Sequence, residues 1–138
     1  MIHPRLSVDA MCTLRWSFDQ DLALWSSMGV RHAGLLISKL ADDPMGKMVR
    51  LTDAGIRAST LITESFELRD PTQWDRIRAA HRAAIDLMAS FGGHSMYFTP
   101  GRTTGASWRE DLAGIGNGQR EHFLFHPAAR DSLSHLPD

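Results

Sequence analysis

A glycine-led repeat constrains this chain more than any other feature. Gly29-Val30-Arg31-His32 runs into the apolar stretch Ala33-Gly34-Leu35-Leu36-Ile37, and Gly55-Ile56-Arg57-Ala58 runs into Ser59-Thr60-Leu61-Ile62-Thr63. Arg31 and Arg57 are 26 residues apart. Gly92-Gly93-His94 then leads Ser95-Met96-Tyr97-Phe98-Thr99. Each unit is a helical stretch, a glycine and a short apolar run. Glycine takes the left-handed conformation that ends a helix, and short apolar runs bounded by turns suit strands buried in a parallel sheet. With Arg5 to Met11 as the opening run, four parallel strands are expected near 5–11, 32–37, 57–63 and 94–99, in sequential order, with helices on one side.

The intervening segments carry helix-start signals. Ser17-Phe18-Asp19-Gln20 has capping-box spacing, and Asp43-Pro44 reads as an N-cap followed by proline at the first helical position. Asp70-Pro71 repeats that device ahead of Trp74, Ile77, His81, Ala84, Met88 and Phe91, which recur at helical spacing. Trp25, Trp74 and His81 are expected in the core. Ser107-Trp108-Arg109-Glu110 starts a further helix, but Gly114, Gly116 and Gly118 follow within a few residues and the rhythm stops. The expected fold class is therefore α/β: a partial TIM (β/α) barrel of about four parallel βα units over 1–113. The segment 114–138 is expected to be an irregular tail outside that pattern, either frame-shifted or disordered.

Composition narrows the function classes. The chain has 138 residues, 43% of them hydrophobic and 22% charged, with a net charge of −1, as expected of a globular domain with no basic block for a nucleic-acid backbone. Neither an apolar run of membrane-spanning length nor a signal-peptide core is present, so no membrane partner and a cytoplasmic location are expected. Cys12 is the sole cysteine, which excludes an intrachain disulfide, and it is expected to be a buried structural residue. His122 and His126 are four apart but have no third ligand in sequence, so no metal residue is assigned. Gly101-Arg102-Thr103-Thr104-Gly105 lacks the Lys-Ser/Thr ending of a phosphate loop.

The order of these segments resembles the sugar phosphate isomerase/epimerase family, the xylose-isomerase-like or type-2 apurinic-endonuclease-like barrels. The resemblance rests on Leu6-Ser7-Val8-Asp9-Ala10-Met11 leading to Leu22-Ala23-Leu24-Trp25. It also rests on the Gly29-Val30 and Gly55-Ile56 joints and on Met96-Tyr97-Phe98-Thr99-Pro100-Gly101. It covers roughly Arg5 to Ala113 and implies the N-terminal half of an eight-stranded barrel of about 250 residues. It further implies a metal-dependent aldose-ketose isomerase or epimerase acting on a sugar or sugar phosphate. The family's divalent metal (Mn, Mg, Co or Zn) is held by two Glu, an Asp and a His on later strands, none of which maps onto this chain. The chain alone is thus expected to bind no metal and to be inactive, as a truncated form. Zinc nucleases of this kind place a His before the Pro-Gly that ends the fourth strand; Thr99 stands there instead.

In such barrels the C-terminal strand ends face the active site. Those ends offer Lys39, Glu64, Thr99 and Arg102 as weak substrate-binding candidates, with Trp16 and Trp108 as apolar walls for a sugar ring. The competing reading of the four polar residues is ordinary loop polarity, and that of the two tryptophans is packing of a helix start. No catalytic residue is assigned. The alternative function class is a non-catalytic half-barrel that pairs as a homo-oligomer, covering its two open edges, or an inactive relic.

Overall fold

The computed structural model describes residues 3–67, 70–101 and 107–113. Four strands, β1 (Ser7–Asp9), β2 (His32–Leu36), β3 (Arg57–Ile62) and β4 (Ser95–Tyr97), form one sheet in the order β1-β2-β3-β4. Every pairing is parallel. The helices between and after them include α1 (Phe18–Met28), α2 (Ile37–Leu40), α3 (Pro44–Asp53) and α4 (Trp74–Ser90). The expected α/β architecture and strand order are those observed, and the sheet is open.

The repeat has one physical basis. Gly29, Gly55 and Gly92 all take positive φ, at 69°, 75° and 66°. After each glycine the next amide reaches back to a carbonyl five residues earlier: Val30 to Trp25 at 2.9 Å, Ile56 to Leu51 at 3.1 Å and Gly93 to Met88 at 2.8 Å. This is a Schellman closure made three times, and it satisfies a carbonyl that the helix end would leave orphaned. The helix starts follow their sequence signals too. Ser17 and Gln20 form the reciprocal capping box, and the Asp43 carboxylate accepts from the Gly46 amide with Pro44 inside the first turn. Ser107 and Glu110 exchange the same bonds ahead of the helical segment 108–113.

Two elements differ from expectation. The opening strand stops at Asp9 rather than Met11, because the Asp9 carboxylate accepts from the Met11 amide at 2.8 Å and turns 10–13 into a 3-10 helix. The apolar run after β2 also curls at Ile37 into the short α2. Cys12 lies on the 3-10 turn and is exposed, which corrects the expectation of a buried cysteine.

The chain divides into two compact units, Met1–Glu64 with Ala83–Phe98, and Ser65–Arg82 with Thr99–Asp138. The first holds the whole sheet and a core of Phe18, Trp25, Leu35, Leu40, Met48, Leu51, Leu61 and Met88, with Val8 and Met96 packed against it. In the second, Phe66 and Ile77 are fully buried, as is His81. Trp74 there is only half-buried; its ring lies 5.2 Å from Phe66 and its indole N–H donates to the Glu67 carbonyl at 2.9 Å. The 113/114 boundary expected from sequence lies at the edge of the described residues, and the segment 114–138 lies outside them, with His122 and His126. Among the described residues no helix is long and apolar enough to cross a membrane.

Candidate functional site

Strand alternation sorts the sheet into two chemistries. Val8, Ala33, Leu35, Ala58, Leu61 and Met96 belong to the apolar core. The residues alternating with them include Ser7, Asp9, Gly34, Thr60, Ser95 and Tyr97. A register break between Ala33 and Gly34 adds Ser59 to this second set, beside Thr60. By the same register Leu36 and Ile62 belong to this set, so the second face carries a group of hydroxyls, Ser7, Ser59, Thr60 and Ser95, followed toward the strand ends by an apolar row of Leu36, Ile62 and Tyr97. Thr60 and Ser95 bond at 2.6 Å, and the Ser95 hydroxyl donates to the Ser59 carbonyl at 3.0 Å.

One bond reveals the curvature of that face. The Ser7 and Ser59 hydroxyls are 2.7 Å apart although β1 and β3 flank β2. In a flat sheet strands two places apart are separated by about 10 Å, too far for two serine side chains to span. The sheet must bend toward the hydroxyls, as a barrel wall does, where side chains from alternate strands share an interior layer. Above that layer Asp9 leans across β2. A methyl group built on Gly34 would lie 2.2 Å from Asp9 Oδ2. Gly34 thus makes room for a carboxylate at the C-terminal end of β1, and half-exposed Asp9 is fixed by its bond to the Met11 amide.

A second polar cluster lies at the same strand ends. The Lys39 ammonium donates to Asp21 Oδ2 at 2.5 Å, to the Thr13 carbonyl at 2.8 Å and to the Ala10 carbonyl at 3.3 Å. Asp21 Oδ1 accepts from the Thr13 hydroxyl at 2.6 Å. The Lys39 and Asp21 side chains are 8% and 1% exposed, so the pair is buried. All three ammonium protons have acceptors. Lys39 therefore pins the segment 10–13 to α1 and α2, and its charge is met from within the protein.

The other sequence candidates are dispersed. Trp16 is 43% exposed, and Trp108 is 67% exposed with the Arg109 guanidinium 5.3 Å from its ring; neither packs a core. Glu64 is half-buried just past β3. The Thr99 hydroxyl bonds Ser65 at 2.6 Å, and its carbonyl accepts from the Phe66 amide at 2.8 Å. Arg102 lies outside the described residues. No group of three or more His, Cys, Asp or Glu side chains among the described residues is placed to hold a metal ion. Sequence reasoning missed Asp9 because it was read as one more residue of a buried strand. The signal was the polar alternation Ser7, Asp9 opposite Gly34.

Among the described residues, the carboxylates of Asp42 and Glu110 have lowered pKa values, and both are surface groups. Asp42 is held down first by its hydrogen bond from Lys47, and Glu110 first by the Ser107 backbone amide.

No family model and no curated protein sequence matches the chain. Among solved structures, the chain is similar to protein SMc04130 from Sinorhizobium meliloti 1021. The match has a TM-score of 0.70 at 17% identity and covers 90% of this chain and 47% of that one. The chain thus spans about half the length of the structure it matches, and the likeness is one of fold.

Proposed function

We propose that this chain supplies half of a xylose-isomerase-like (β/α) barrel whose hydroxyl-lined face binds a sugar or sugar phosphate. The observation that carries this reading is the carboxylate of Asp9, held above Gly34 at the strand end next to Ser7, Ser59, Thr60 and Ser95. A polyhydroxylated ligand needs many short donors and acceptors on a concave wall, and a face of small hydroxyl side chains offers them without filling the space. Asp9 would accept from a sugar hydroxyl through Oδ2, since its Oδ1 already takes the Met11 amide. A carboxylate so placed is also the group type that moves a proton in aldose-ketose isomerisation and epimerisation.

The family resemblance implies a divalent metal that polarises the substrate's oxygens. The described residues do not assemble the ligands for it, and no step is assigned to a metal here. Isomerase or epimerase chemistry belongs in this reading to the completed barrel.

Titration of the labelled protein with aldoses, ketoses and their phosphates, followed by amide chemical shifts, tests the proposal. Saturable shifts at residues 7–9, 34, 59–60 and 95 are expected, weakened by Asp9→Asn, which keeps the acceptor for the Met11 amide. Shifts elsewhere, or none, would remove the reading.

A further inference from the structure

We infer that β1 and β4 are the seams along which two copies of this chain close a single eight-stranded parallel barrel, bringing their hydroxyl faces together around one interior. Among the described residues β1 pairs only with β2, and β4 only with β3. Among the described residues the outer side of each has no strand beside it, an edge of the kind that natural sheets cover or close. The sheet already bends toward its hydroxyl side, as the Ser7–Ser59 bond across β2 requires. All strands point the same way in sequential order, so one two-fold axis along the barrel sets β4 of each copy beside β1 of the other, both pairs parallel. Eight strands make the small barrel whose interior side chains can line and fill.

Five of the ten large exposed apolar residues among the described ones lie on or shortly before or after these two strands in sequence. Leu6 is 48% exposed and Met11 48%, beside β1; Leu14 at 61% and Trp16 at 43% lie on the segment that follows it, and Tyr97 on β4 is 46% exposed. Five large side chains about half-exposed present roughly 500 Å² of apolar surface, a large share of the roughly 800 Å² per partner that a stable interface buries. A net charge of −1 per copy sets little repulsion against association.

Sedimentation equilibrium of the chain, with amide hydrogen exchange at several protein concentrations, tests the inference. The expected mass is twice that of the chain. Amides of 7–9 and 95–97 should slow by about tenfold or more as concentration rises, while those of β2 and β3 stay unchanged. The double variant Leu14→Glu/Trp16→Glu changes two exposed side chains and should give a monomer with an unaltered circular-dichroism spectrum. A monomer at all concentrations, an open-ended assembly, or a dimer without protection at both edge strands would overturn it. Sugar titration reads a different quantity, so failure of ligand binding leaves this mass measurement standing on its own.

Discussion

Removing one partner of the Asp21–Lys39 pair should be among the most damaging single changes available in the sheet unit. In Lys39→Met the thioether side chain fills similar space, but Asp21 keeps its charge at 1% exposure with only the Thr13 hydroxyl as donor. In Asp21→Asn the ammonium keeps the Ala10 and Thr13 carbonyls and loses its counter-charge. Breaking a buried pair from one side costs about 3–5 kcal/mol, because the survivor is left uncompensated. For a chain of this size that corresponds to a fall of about 10 °C or more in Tm. The double variant Lys39→Met/Asp21→Asn removes both charges, and the new amide oxygen can still accept from the Thr13 hydroxyl. The Thr13 carbonyl also retains the Trp16 amide at 2.8 Å. The double variant should therefore recover most of the loss, with a coupling energy of about 2 kcal/mol or more. Urea unfolding of the four proteins, with slopes compared for two-state behaviour, measures this cycle. Single variants that each cost under about 1 kcal/mol, or a double variant at the simple sum, would show that the pair is solvated in solution and does not hold the segment 10–13.

Two further outcomes are expected. Gly34→Ala should displace the Asp9 carboxylate, because the new methyl would fall 2.2 Å from Oδ2; the Met11 amide resonance should shift and its exchange quicken, while an unmoved Met11 amide would refute the cradle. Glu110, lowered from its ordinary 4.5 chiefly by the Ser107 amide, stabilises the start of the 108–113 helix above that value. The contribution is lost as pH falls through the lower folded value, so amide shifts at Ser107 and Glu110 should change together only on the acid side of 4.5.

The backbone scheme was legible in the sequence because its signals are local. A left-handed glycine, a serine three residues before glutamine and an aspartate before proline each act within one helical turn, so Gly29, Ser17 and Asp43 could be read without knowing what they pack against. The order and direction of the strands followed from the same repeat, because short helical crossovers leave few alternatives. What the sequence could not give was which polar residues meet. Lys39 looked like a free cation at a strand end, yet Asp21, on a helix 18 residues away, neutralises it. Cys12 looked like a small buried apolar residue, yet the Asp9 cap turns it outward. Ser7 and Ser59 meet only because the sheet curves, and Asp9 finds room only because a neighbouring strand has glycine opposite it. Apart from the local Asp9 cap, these are contacts between residues far apart in sequence, set by register and curvature, and such long-range geometry exists only once the strands are paired.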